Sequence, residues 1–158
     1  MTIKPVSPAT LDGVVEMYRA LFIYVKSLGK DPYTDCPPPE KEELRAQLVQ
    51  AIGHPLARIF VALDAAGRPV AFIAAELRSN ALPTPGYEKV GYIAAAYVEE
   101  GYRHRGVMAA LEKEAEGFFR EKEVRSVELH ALVTNDDAIK AWERMGYKLY
   151  RAQFRKML

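Results

Sequence analysis

The order strand, glycine-bearing turn, amphipathic helix, strand in the second half of the chain constrains the fold more than any other feature. Lys89 to Val98 is rich in β-formers, and Gly106 to Glu121 sets Val107, Leu111, Ala115 and Phe118 on one helical face. Ser126 to Val133 is again β-rich. Strands joined through a helix lie parallel, because a tight turn can only return the chain antiparallel. The alternation then continues. Asp136 to Met145 reads as a helix, and the roughly alternating apolar residues from Tyr147 to Met157 predict a closing strand.

Upstream, Ile3 to Val6 reads as a short strand. A helix beginning near Leu11, with Ser7 or Thr10 as its cap, places Leu11, Val14, Val15, Tyr18, Leu21, Phe22 and Val25 on one face and stops at Gly29. Asp31 to Glu40 contains four prolines and reads as an irregular loop. A second helix from near Pro39 to Gly53 carries Leu44, Leu48 and Ile52. Arg58 to Leu63 and Pro69 to Leu77 form an antiparallel hairpin through Asp64 to Arg68, and a Pro/Gly loop follows at Ser79 to Gly86. These elements predict one α/β domain over residues 1–158. It has two N-terminal helices, a mixed sheet of about six strands, and helices on both faces.

Composition narrows the function. The chain is 49% hydrophobic and 27% charged, as in ordinary folded proteins. Its 22 basic and 21 acidic residues leave a formal charge of +1, which gives no general attraction to nucleic acid or an anionic membrane. Cys36 is the only cysteine, so an intramolecular disulfide is excluded. The first residues lack a signal-like apolar stretch, and no apolar run approaches the roughly 20 residues of a membrane span. A cytoplasmic protein is expected. His54, His104 and His130 are scattered, and no metal site is expected.

Val98 to Met108 leaves a strand, turns and enters a helix. A helix's first amides have no internal partners, and its dipole adds partial positive charge there. Gly106 lacks the Cβ that would hold a phosphate off, and Arg103 and Arg105 add charge. An isolated pattern this short also suits a plain basic bend.

Context decides between the two. The segment resembles the coenzyme-A-binding motif of the GNAT-type N-acetyltransferases, a strand followed by Arg/Gln-x-x-Gly-x-Gly/Ala. Here it reads Val98, then Arg103-His104-Arg105-Gly106-Val107-Met108, with Met108 where the family has Gly or Ala. The resemblance implies that the amides of this turn hold the pyrophosphate of acetyl-CoA and that backbone around Ala96, Tyr97 and Val98 aligns with the pantetheine arm. Asn135 to Tyr147 resembles the family's closing motif, Asn-x-x-Ala-x-x-x-Tyr-x-x-x-Gly-Phe/Tyr. It matches at Asn135, Ala138, Gly146 and Tyr147 and places Trp142 at the family's Tyr. The resemblance implies that Asn135, Ala138 and Trp142 line the cofactor; Asn135 also suits a helix N-cap, Gly146 a C-cap, and Trp142 a core anchor.

The reaction implied is direct attack of an amine on the acetyl thioester, and the amine must first lose a proton. Tyr92 aligns with the position where several family members carry a base. Period-two alternation sets it on one face with Ala94, Ala96 and Val98, and Glu76 and Glu88 are alternative carboxylates. Indole is no acid, so Tyr147, Tyr97 or water would protonate the departing thiolate. Tyr33, Asp35, Tyr87 and Glu88, on the two Pro/Gly loops, are candidate contacts for a cationic acceptor, which could be a small molecule or a protein amino group. A homodimer through the closing strand is expected on the ground that sheet edges invite partners. The alternative reading is a catalytically degraded acyl-CoA sensor.

Overall fold

β-branched and aromatic residues crowd three consecutive runs, which form the antiparallel centre of the sheet: β2 (Ala57–Leu63), β3 (Pro69–Ser79) and β4 (Lys89–Val98). The computed structural model describes residues 1–29, 36–82 and 84–157. A short β1 (Thr2–Pro5) pairs antiparallel with β2, and β5 (Val127–Leu129) lies parallel to β4, giving the order β1-β2-β3-β4-β5. The helices are α1 (Pro8–Ser27), α2 (Lys41–Val49), α3 (Val107–Glu121) and α4 (Asp136–Arg144).

The central strands are covered on both faces, so they read as continuous apolar runs without alternation. Val61, Phe72 and Ala74 face α1 and join Leu11, Val14 and Val15, while Ala62, Ala71, Ile73 and Ala75 face α3 and join Leu111, Ala115, Phe118 and Phe119. Tyr18 of α1 stacks on fully buried Phe72 with ring centroids 4.7 Å apart. The first helix begins at Pro8, earlier than the apolar spacing predicts, because Ser7 is its cap and proline's fixed φ suits a helix's first position. The Ser7 amide donates to Thr10 Oγ1 at 3.0 Å, which closes that end.

Two expectations are corrected. The strand predicted over Ser126 to Val133 shortens to Val127–Leu129, paired only with Gly91, Tyr92 and Ile93. The cause lies in β4. Ala75 of β3 faces Ile93 but Ala74 faces Ala95, so Ala94 is an extra residue, a β-bulge that bends β4 away from its parallel neighbour. Among the described residues, Tyr147 to Met157 forms no strand. Leu149, Tyr150, Phe154 and Met157 are 91, 71, 93 and 57% exposed. Alternation builds a strand only where something covers the apolar side, and nothing among the described residues does. Among the described residues the sheet therefore has five strands where about six were expected.

Candidate functional site

Beyond Val98 the chain makes one 3₁₀ turn over Glu100–Tyr102, then places His104 (φ 59°) and Gly106 (φ 75°) in the left-handed region before α3 starts. The amides of Tyr102 and Arg103 bond to the carbonyls of Glu99 and Glu100, and the next backbone bond is Ala110 N–H to the Gly106 carbonyl at 3.0 Å. Among the described residues, no backbone acceptor meets the amides of residues 104–109. Left-handed residues turn neighbouring amides toward one concavity, and the dipole of α3 adds positive potential there. The stretch is a cradle for an anion such as a pyrophosphate. A Cβ on Gly106 would meet no protein atom within 4 Å, so that side of the turn is open to a ligand.

Arg103 is built into the end of β4. Its Nε donates to the Val98 carbonyl at 3.0 Å, and its guanidinium lies 5.2 Å from the ring centroid of Tyr24 and 5.8 Å from that of Tyr97. His104 and Arg105 are exposed, and the Arg105 guanidinium lies 5.8 Å from the ring centroid of Tyr102. Val107 is buried, and Met108 turns its side chain into the α3-side core, which leaves its amide available despite the departure from glycine or alanine.

Beside this turn the sheet is split. Past Ile93, β4 runs on to Val98 with no strand on its β5 side among the described residues, so the main chain of residues 94–98 borders a gap. The bulge also corrects the facing of this strand. Tyr92, Ala94, Ala96 and Val98 do not share one side. Tyr92 pairs with Glu76 on the α1 side, Ala94 is exposed, Ala95 and Tyr97 pack toward α1, and Ala96 and Val98 pack toward α3. One inserted residue reverses the alternation.

Asn135 forms the far lip of the gap. It caps α4, its Oδ1 accepting from the Ala138 amide at 3.2 Å and from the Tyr24 hydroxyl at 3.5 Å, with half-buried Ala138 on the first turn. Tyr24 thus links the two sequence motifs, touching Arg103 on one side and Asn135 on the other, and no motif or apolar stripe singles it out. Asn135→Ala is expected to lower stability by about 1 kcal/mol, the usual worth of a cap, while Asn135→Asp keeps the thermal melting midpoint close to the wild type. An unmoved midpoint in the alanine variant would mean that the cap contributes nothing.

The rest of the closing motif serves packing. The Gly146 amide bonds to the Glu143 carbonyl at 3.0 Å and the Tyr147 amide to the Trp142 carbonyl at 3.1 Å, a Schellman end whose accompanying contact is the edge-on pair Trp142–Tyr147 at 5.3 Å. Trp142 is half-buried and packs against the α3-side core. The Tyr147 hydroxyl donates to Glu112 Oε1 at 3.0 Å, and both belong to a cavity of about 480 Å³ between α3, β5 and the chain after α4. Tyr147 therefore stands on the opposite side of the sheet from Tyr92.

Burial pushes the Glu112 carboxyl up, partly offset by the bond from Tyr147, while burial and the Glu112 charge push the Tyr147 phenol well above its ordinary range. A carboxyl raised on folding contributes stability that is full below its unfolded pKa and lost as pH rises through the folded one. Glu112→Gln, which keeps an acceptor for Tyr147, is expected to raise the melting midpoint near pH 8. The gain fades toward about pH 4, where the glutamate is itself protonated. Thermal melts across that range check it.

Where the gap closes, the Tyr92 hydroxyl lies 2.7 Å from Nδ1 of His130, the residue after β5. The Arg78 guanidinium sits 3.4 Å from the Tyr92 ring centroid and is ion-paired with Glu76. Across the face, burial and the Glu76 charge push the Tyr18 phenol up to about 12. His130 was not a candidate from sequence, where it is one of three dispersed histidines. Of the acceptor candidates, Glu88 accepts from the Gly86 amide, which holds its carboxyl below the usual range, and Tyr87 lies under Arg125. Both sit at the start of β4, away from the turn. Tyr33 and Asp35 lie outside the described residues. Among the described residues no cluster of three or more His, Cys, Asp or Glu could hold a metal.

The turn at the end of β4 and the capped start of α4 are joined through Tyr24. The model of the acetyltransferase (GNAT) family matches residues 16–147. The chain belongs to the GNAT family. It is an acetyl-CoA-dependent acetyltransferase. Solved structures share this GNAT protein's fold across nearly their whole length. Aminoglycoside 6′-N-acetyltransferase AAC(6')-IG from Acinetobacter haemolyticus has a TM-score of 0.74 at 19% identity, covering 100% of this chain and 99% of that one. AAC(6')-Ih from Acinetobacter baumannii has 0.76 at 18%, covering 99% and 97%. AAC(6')-Iy in complex with the bisubstrate analog CoA-S-monomethyl-acetylneamine has 0.76 at 16%, covering 99% and 97%. No curated protein matches the sequence of this GNAT protein significantly.

Proposed function

We propose that this protein moves an acetyl group from acetyl-CoA to a primary amine of a small molecule, by direct attack with both substrates held in one cleft. The observation that carries the reading is the run of amides at residues 104–109 without backbone acceptors, set at the end of a strand segment that borders an open gap. In this reading the turn from Arg103 to Met108 holds the pyrophosphate. The main chain of Ala96, Tyr97 and Val98 lies along the pantetheine arm, and Asn135 and Ala138 close its other side. Trp142 contributes by seating α4. Catalysis is then mainly by positioning, which can supply several kcal/mol of the barrier.

A small-molecule amine is favoured over a protein amino group because the similar structures include aminoglycoside acetyltransferases, one of them holding an analog that joins CoA to an acetylated aminoglycoside fragment. The test is thioester consumption with a panel of aminoglycosides, polyamines and peptides. Turnover of at least one small amine is expected. Tight coenzyme A binding without turnover of any would favour the sensor alternative.

The reading extends to a cytoplasmic enzyme, placed with its acetyl donor. No helix among the described residues is long and apolar enough to cross a membrane. It extends also to a homodimer. Support comes from the outer edge of β5, which carries no strand among the described residues, and from the exposed apolar side chains after Tyr147. Sedimentation at equilibrium tests it, and a monomer at all concentrations would end it.

A further inference from the structure

We propose that Tyr92 and His130 form one proton relay at the closed end of the gap, serving both halves of the acetyl transfer. The inference rests on the reading above and adds to it where the reacting atoms lie and what handles their protons. Position is the first argument. The anion cradle sits beyond Val98, and the length of β4 from residue 94 to residue 98, which has no partner on its β5 side among the described residues, spans about 13 Å at roughly 3.3 Å per residue. An extended arm anchored by its pyrophosphate at the cradle and running along that edge ends where β4 and β5 rejoin, at Ile93 and Leu129. Tyr92 and His130 flank that junction.

Chemistry is the second. A 2.7 Å contact between a phenol and an imidazole nitrogen is a path for a proton. The phenol is 9% exposed on the α1 side, while the imidazole is exposed and can exchange with water. The charged and titratable groups around the pair are Arg78 and Glu76 from β3, Tyr18 from α1 and Glu128 from β5, which is the register partner of Tyr92. The Arg78 guanidinium lies over the ring, where it offsets negative charge as the phenol gives up its proton.

The steps balance. An ammonium group that enters loses its first proton to water. As the neutral nitrogen bonds to the acetyl carbon, Tyr92 takes the second proton on its oxygen and passes its own to His130 Nδ1. As the carbon–sulfur bond breaks, Tyr92 delivers a proton to sulfur and recovers one from His130. The net result is one proton moved from nitrogen to sulfur, with both side chains returned to their starting state. No acid is then needed at Trp142, and none of the carboxylates has to serve as the base.

His130→Gln and Tyr92→Phe are expected to lower kcat about 100-fold, the low end of acid–base effects, with the KM for acetyl-CoA changed little. The acidic limb of the wild-type kcat/KM profile should flatten in His130→Gln, which a purely structural role would not cause. In the free protein, heteronuclear NMR of the imidazole nitrogens should show the Nδ1 resonance of His130 moving on Tyr92→Phe. A His130→Gln enzyme with wild-type kcat and pH profile, or an Nδ1 resonance indifferent to Tyr92, would overturn the relay alone. A wild-type protein that acetylates no amine would overturn the acetyl-transfer reading and the relay with it.

Discussion

Gly106→Val is expected to raise the KM for acetyl-CoA by one to two orders of magnitude while leaving a folded protein. Three effects act at this residue. Gly106 has φ 75°, where an L side chain costs roughly 1–2 kcal/mol and a β-branched one sits worst. The valine would project into the open side of the turn, since no protein atom lies within 4 Å of a Cβ there. Any shift of the turn also disturbs the neighbouring amides, and a hydrogen bond to a charged group is worth about 1.5–3 kcal/mol. At about 1.4 kcal/mol per tenfold, losing one such bond gives the stated range. Gly106→Ala should fall between, because it carries the φ strain with less bulk. Steady-state kinetics and calorimetric titration with coenzyme A, run below the melting midpoint of each variant, measure it. Unchanged constants would mean that the pyrophosphate lies elsewhere.

Much of the frame was legible because the relevant signals are local. Lys89 to Val98 emerged with the observed bounds, and the hairpin, the long first helix and the α3 start followed from turn residues and spacing. The turn and Asn135 could be read as a cradle and a cap because main-chain geometry at helix starts depends on few residue types.

The features that escaped depend on distant partners or on missing contrast. Ala94, Ala95 and Ala96 are three equal side chains, so nothing in the pattern tells which one is extra, and the bulge that reverses the facing of Tyr92 relative to Val98 is invisible. His130 meets Tyr92 across 38 positions of chain, and Tyr24 meets Asn135 across 111. The closing strand failed for the converse reason. Residues after Tyr147 have a strand's composition, but alternation does not supply the surface that must cover it.

Gly91→Val should be the most damaging single change to folding, and it links that packing to the reacting end of the gap. Gly91 faces α3. A Cβ there would lie 2.7 to 2.9 Å from three ring atoms of Phe119, closer than side-chain carbons approach one another. Phe119 is 2% exposed and shares a buried cluster with Leu111, Ala115 and Phe118, so it can yield only by displacing them or by shifting toward the cavity it lines. Overpacking of this kind costs about 1–3 kcal/mol, and the branched valine belongs at the upper end. At about 2–4 °C per kcal/mol for a chain of this size, the melting midpoint should fall by roughly 5–10 °C.

The strain also has a direction. Gly91 pairs with Leu77 of β3 on one side and Val127 of β5 on the other, and its amide donates to the Ser126 carbonyl at 2.9 Å. Lifting β4 off α3 would therefore open the short β4–β5 ladder first and draw Tyr92 away from His130. Activity should fall further than stability alone accounts for, even at a temperature where the variant is fully folded. Shrinking the partner should recover part of both: in a double-mutant cycle, Gly91→Val with Phe119→Leu is expected to lose less than the sum of the single changes. Additive losses would mean that the ring of Phe119 does not set the height of β4, and that the closed end of the gap is held in place by some other contact.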